Sequence, residues 1–299
     1  MAAPGAPPSA REPRLWVLNL DAELELQSSG PYQTPRRVAE ALAPWIERAR
    51  RLLAPGDELL GAHSAPPAGS PERWGAAWCP TPSALSQLAR AGARLPPSPS
   101  VEVLRRVNHR RFYLGLGGGA PGAHYFDESE PLEAALSARG AAPWLFKRAY
   151  GFAGRGQRRI PHPPSADDRR WLADSLRQGG VLGEPWLEIE RELCLHGLLD
   201  QTGQLTLGRI CLQRTDAYRA WLSSEPAHPG DVSEPHAQAL YDTAARVGEA
   251  LTCAGYFGPF GLDGYLWRSA EGTLAFNPLG ELNARYTMGF AAGLGFPER

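Results

Sequence analysis

The apolar pattern of this chain changes character near Trp144. Before that point, strand-like runs alternate with capped helical stretches. After it, short strands follow one another through glycine-rich and Asp-Gly-type turns. No single helical bundle or all-β sandwich accommodates both patterns. They require an α/β lobe with a largely parallel sheet, followed by lobes built on hairpins.

The first lobe is read from its caps. Residues 15–20 are a short apolar run that predicts a buried strand. Thr34-Pro35 predicts a helix with Thr34 as N-cap, carrying Val38, Leu42, Trp45, Ile46 and Leu53 at roughly helical spacing. Pro55-Gly56 stops it, and residues 58–60 read as a second strand. Thr81-Pro82 repeats the cap chemistry, and Gly92 stops the helix. Ser100 predicts a cap for one helix running through Leu104, Val107 and Phe112. The glycine cluster 115–119 reads as a linker. Later elements are a helix from Ser129 to Gly140, strands at 144–147 and 158–160, a helix at 165–176, strands at 181–189 and 193–199, a return strand at 205–212, a long helix from Ser233 to about 251, and strands at 261–267 and 273–277.

Composition removes several function classes. The net charge of -1 gives no basic field for nucleic acid. No run of about 18 apolar residues predicts a membrane span. The 4 cysteines form no C-x-x-C pair, which argues against a zinc or thiol-redox motif. The start is Ala/Pro-rich without an apolar stretch, and reads as a disordered tail rather than a secretory signal. A cytoplasmic location is the expectation.

Four groups of residues carry the chemistry. Glu281, Asn283 and Arg285 alternate, so an extended backbone projects them to one face. Carboxylate and amide oxygens are hard ligands suited to Mg²⁺, and an arginine beside them clamps phosphate oxygens. Asp263, from a neighbouring strand, completes this set. A solvated polar strand face is the competing reading. Lys147 leaves a strand into a loop with Gly151, Gly154, Arg155 and Gly156, where backbone N–H groups approach phosphates closely. A simple hairpin loop fits that segment as well. Glu184 to Leu187 offers a strand edge to an adenine, and Glu192 an acceptor for ribose hydroxyls; an exposed acidic strand end is the alternative. Arg110, in Asn108-His109-Arg110-Arg111, places a cation nearby, or lies on an exposed helix face. The acids of residues 19–23 either hold an amine or form a polar turn.

The order of these pieces resembles the ATP-grasp superfamily, in its carboxylate–amine ligase branch, over roughly residues 15–290. The resemblance implies a tail at 1–14, an N-terminal α/β lobe at 15–100, a central lobe with the glycine-rich loop at 101–180, and a C-terminal lobe with the metal site at 181–299. ATP would lie between two antiparallel sheets. Lys147 and Arg285 match the phosphate-side cations. Gly151 to Gly156 match the closing loop, Glu184 to Leu187 the adenine hinge, and Glu192 the ribose acid. Asp263, Glu281 and Asn283 match the Mg²⁺ ligands. Arg110 stands where the family usually has lysine, and Asp263 where several relatives have glutamate. Arg209 or Arg214 would supply a further cation. The implied activity is ATP-dependent ligation of a small carboxylate to an amine through an acyl phosphate, on amino-acid or peptide-like substrates. A phosphotransferase or a nucleotide-binding regulator is the alternative. A homodimer is compatible with the resemblance.

Overall fold

The computed structural model describes residues 12–61, 73–140, 142–151, 155–216, 221–269 and 272–295. Its first part holds β1 (Arg14–Val17), α1 (Ala22–Gln27), α2 (Arg36–Ala49), a 3₁₀ turn (Arg50–Leu52), β2 (Glu58–Leu59), β3 (Trp74–Ala77) and α3 (Pro82–Arg90). The sheet order is β2-β1-β3 and every pairing is parallel, as the strand–helix alternation predicts. Two caps differ from expectation. Pro35 takes the N-cap place of α2, leaving Thr34 outside. Thr81 sits at the N-cap of α3, but its hydroxyl donates to Glu25 Oε2 at 2.6 Å and accepts from Asn19 Nδ2 at 3.0 Å. The Ser83 N–H of the first turn donates to Glu25 Oε1 at 2.8 Å, so the buried carboxylate takes the capping role from the hydroxyl.

The middle part holds α4 (Val101–Asn108), α5 (Arg110–Leu114), β4 (His124–Phe126), α6 (Ser129–Ala138), β5 (Trp144–Arg148), β6 (Gln157–Ile160), α7 (Ala166–Arg177) and β7 (Val181–Pro185). The helix expected from Ser100 through Phe112 is two helices. His109 is extended at φ -75° and ψ 132°, and its Nδ1 accepts from the Arg111 N–H at 3.1 Å. Strands β4-β7-β5-β6 form an antiparallel sheet. Phe126, Leu132, Phe146, Ile160, Leu172 and Val181 form its core beneath α6 and α7. Strand β7, which lies beyond residue 180, belongs to this sheet and ends at Pro185. The strand expected at 181–189 breaks there, and Trp186 N–H donates to Pro143 O at 3.0 Å as the chain turns out.

The last part holds β8 (Ile189–Leu199), β9 (Leu205–Leu207), β10 (Cys211–Thr215), β11 (Trp221–Pro226), α8 (Glu234–Cys253), β12 (Gly258–Arg268), β13 (Leu274–Asn283) and α9 (Phe290–Gly293). The antiparallel order is β11-β10-β8-β12-β13, with β9 also on β8. The return strand expected at 205–212 is interrupted where Gly208 passes beneath α9. A Cβ on Gly208 would lie 2.6 Å from Gly293 O. Leu240, Ala244, Val247 and Leu251 of α8 pack on Leu193, Leu195, Leu199, Leu262 and Leu282. That apolar face turns the alternate residues Glu192, Cys194, Asp263 and Glu281 toward the central sheet. Trp16, Leu42 and Trp78 belong to the same core, which ties the first lobe to the last. Among the described residues, no helix is long and apolar enough to cross a membrane.

Candidate active site

The site lies where the sheet containing β5 faces the sheet containing β12 and β13. Asp263 pairs in register with Glu281 on one side and Cys194 on the other. Cross-strand partners share a face, so the two carboxylates point the same way. Asn283 follows two residues later, and its Nδ2 donates to Asp263 Oδ2 at 3.2 Å. Arg285 lies just beyond β13. Its Nη2 donates to Asn283 Oδ1 at 3.0 Å, its Nη1 to Tyr286 O at 2.9 Å, and its Nε to Glu23 Oε1.

The break at His109 aims Arg110 into this group. Its Nη1 pairs with Glu281 Oε1 at 2.9 Å, and its Nε donates to Arg148 O at 2.9 Å. Asn108 fixes the same segment from the other side. It accepts from Ala284 N at 3.0 Å and donates to Ala284 O at 3.3 Å. Gly151 makes room for Arg110, since a Cβ there would lie 2.9 Å from both Arg110 Nη2 and Arg155 O.

At the other end, Lys147 Nζ pairs with Glu184 Oε1 at 2.6 Å, both side chains being buried. Glu184 Oε2 also accepts from Ala120 N at 3.3 Å. The glycine cluster read as a linker is instead packed structure. Gly119 N–H donates to Leu279 O at 2.8 Å, and Gly119 O accepts from Asn277 Nδ2 at 2.7 Å. Arg159 lies over the ring of Trp186 at 4.3 Å, next to the expected hinge.

The electrostatics separate the two acids. Burial, then the charges of Glu281 and Glu192, push the Asp263 carboxyl up to about 8. Burial would raise Glu281 as well, but Arg110 and Lys147 outweigh it and hold the group below its ordinary value. Burial would lower Lys147, yet Glu184 more than reverses this and keeps the ammonium charged. Asp263 and Glu281 are thus two crowded carboxylates with an amide oxygen beside them. Among the described residues no group of three or more His, Cys, Asp or Glu that could hold a metal is present. The third donor here is an amide, and three hard oxygens on one face still fit Mg²⁺, which keeps waters and takes phosphate oxygens.

Two adjoining hollows meet at Gln157, Gln213, Asp263 and Glu281. One, of about 130 Å³, has Lys147, Glu184, Leu187 and Glu192 on its wall. The other, of about 170 Å³, has Arg110, Gly151, Arg155, Asn283 and Arg285. Eleven of the sequence-derived residues therefore converge: Arg110, Lys147, Gly151, Arg155, Glu184, Leu187, Glu192, Asp263, Glu281, Asn283 and Arg285. Gly156 stands beside them at φ 76°, where the loop re-enters β6. Gly154 lies outside the described residues. Arg214 is not brought in. It is exposed, on the alternate face from Gln213 and Thr215, which line the hollows. Arg209 is exposed as well.

Sequence reasoning missed the role of Glu23, read as holding an amine or as part of a turn. It also missed Trp78, Trp221 and Met288 on the wall of the larger hollow. Recognition of β3 would have exposed Trp78, because that residue follows the strand at the carboxyl edge where α/β sheets bind ligands.

No protein-family model matches the chain. An N5-carboxyaminoimidazole ribonucleotide synthase from Brucella melitensis biotype 1 is 25% identical over 196 residues, which is 65% of this chain and 52% of that protein. The chain thus spans about half the length of this curated relative. Among solved structures, the carboxyaminoimidazole ribonucleotide synthase of Aspergillus clavatus, complexed with ATP, superposes at TM-score 0.52 with 16% identity, over 92% of this chain and 71% of that one. D-alanyl-alanine synthetase A of Vibrio cholerae O1 superposes at TM-score 0.52 with 14% identity, over 96% and 92%. At such identities the likeness is one of fold, and the chain has the ATP-grasp fold.

Proposed function

We propose that the chain is an ATP-dependent carboxylate–amine ligase using Mg²⁺. The observation that carries this reading is one cleft with two differently equipped ends: Lys147 and Glu184 at one, Asp263, Glu281 and Asn283 at the other. ATP would lie between them, with its base near Glu184 to Leu187 and its ribose near Glu192. Lys147, Arg110 and Arg285 would offset phosphate charge. Bound Mg²⁺ would neutralise the phosphate oxygens. Asp263, Glu281 and Asn283 would hold it.

No protein nucleophile is needed. A substrate carboxylate oxygen forms a bond to the γ-phosphorus, and the bond from that phosphorus to the ADP oxygen breaks, ADP leaving with the electron pair. An amine then forms the C–N bond, loses a proton, and phosphate leaves with the electrons of its bond to carbon. The residues position the reactants and exclude water around the acyl phosphate. The amino-acid or peptide-like partner expected from the sequence fits the amine role.

ADP release with paired acids and amines tests this, with the product identified by mass. An amide formed with one ADP released per bond is the expected result. A stable phosphorylated product would replace the ligase with a phosphotransferase. ATP binding without turnover across the panel would indicate a regulatory module.

A further inference from the structure

The larger hollow is walled by Leu20, Leu42, Trp45, Trp78, Trp221 and Met288. These come from the turn after β1, from α2, from the end of β3, from β11 and from the segment after β13. The chain brings five elements together to build one apolar wall. Arg110, Arg155 and Arg285 line the same hollow with the two acids of the candidate metal set, and the Arg285 guanidinium lies 5.3 Å from the centre of the Trp78 ring. The hollow therefore combines guanidinium cations with an aromatic and aliphatic wall. Its volume, about 170 Å³, is on the scale of the engineered apolar cavity of roughly 150 Å³ that accepts a benzene ring.

What the wall lacks is equally specific. Among the described residues, Asp263 and Glu281 are the acidic side chains lining it. Asp21, Glu23 and Glu25 of the first lobe do not line it. Asp21 accepts from the Tyr32 hydroxyl at 2.7 Å, and Glu25 accepts from Thr81 at 2.6 Å and Ser83 at 2.6 Å. Glu23 is paired with Arg285. With Asp263 and Glu281 given to Mg²⁺, an ammonium on the bound acid would be desolvated against tryptophan and leucine and would face three arginines, which is unfavourable.

We propose that the acyl donor is an apolar carboxylic acid, aryl or branched alkyl, without an α-ammonium group. This rests on the ligase reading above. The carboxylate faces the arginines, and the hydrocarbon part fills the space between Trp45, Trp78 and Trp221. An amino acid enters only as the amine.

The test uses the full chain saturated with Mg²⁺ and a non-hydrolysable ATP analogue, whose binding is measured first by calorimetry. The chain is then titrated with 3-phenylpropanoate and 3-methylbutanoate, with their α-amino counterparts phenylalanine and valine, and with succinate, following tryptophan fluorescence. At least one apolar acid is expected to bind about tenfold or more tightly than its amino counterpart and than succinate. Trp45→Ala is expected to weaken that acid about tenfold, and Trp45→Phe to restore most of the loss. Equal or tighter binding of the amino acid or of succinate overturns the proposal. So does a nucleotide-loaded chain that binds none of the five. A chain that does not bind the nucleotide overturns the ligase reading, and this inference with it.

Discussion

Glu23 accepts a hydrogen bond from Nε of Arg285 across 262 positions of sequence. The bond joins the first lobe to the segment that follows β13. Burial raises the Glu23 carboxyl, and Arg285 only partly draws it back, so the enclosure disfavours the charged carboxylate that Arg285 stabilises.

Breaking this pair by Glu23→Ala leaves a buried guanidinium without its partner. The expected loss is about 3–5 kcal/mol of unfolding free energy. Glu40→Ala serves as the contrast, because the Arg36–Glu40 pair is exposed on α2 and its loss is worth under about 0.5 kcal/mol. Urea unfolding of both variants checks this. Equal losses would contradict the assigned enclosure.

Lys147→Met removes the cation proposed to meet the base and phosphates, and leaves Glu184 without its ion-pair partner. Nucleotide affinity is expected to fall about tenfold to a hundredfold, the worth of a charge-assisted hydrogen bond. Calorimetric titration with MgATP reads it. Unchanged affinity would place the nucleotide elsewhere.

Gly151→Ala puts a methyl group against Arg110 and the Arg155 carbonyl. Arg110 must then move from Glu281. Misplacement of charge by about 1 Å near reacting phosphates is expected to slow ADP release by up to about a hundredfold. Circular dichroism at the assay temperature checks that the variant is folded, which separates this effect from loss of fold.

Burial lowers the His196 imidazole to about 4 from its ordinary 6.5. The unfolded chain therefore binds the extra proton between those values and the folded chain does not. Stability is fully present above pH 6.5 and is lost as pH falls toward 4. The histidine contributes up to about 3 kcal/mol of that change. The same melt series on His196→Asn should show a shallower fall across this window. Parallel curves would refute the assignment.

The parts of the fold legible in sequence were those with strong local signals. The parallel sheet of the first lobe follows from β1 and the Pro-opened helices. The capping box at Ser165 and Asp168 is present as the helix 165–176 requires. Strand β3 was not legible, because Trp-Gly-Ala-Ala has no β-branched residue. The break at His109 was hidden inside a continuous helical pattern. It is imposed by contacts that sequence does not display: Arg110 N–H donates to Ala149 O, and its side chain reaches Glu281. The site followed the same rule. Glu281, Asn283 and Arg285 were legible because alternation fixes their face. Glu23 was not, since its partner lies at the far end of the chain. Arg214 failed because alternation on β10 gives the cleft to Gln213 and Thr215.

The proposed cleft would hold MgATP at Asp263, Glu281 and Asn283. Calorimetry of the wild-type chain and of the Glu281→Ala/Asn283→Ala variant, each with ATP in the presence and absence of Mg²⁺, addresses it directly. The wild type is expected to bind ATP more tightly with Mg²⁺, and the variant to lose that enhancement while keeping its fold by circular dichroism. A variant that retains the full Mg²⁺ enhancement, or a wild type that does not bind MgATP, would contradict it.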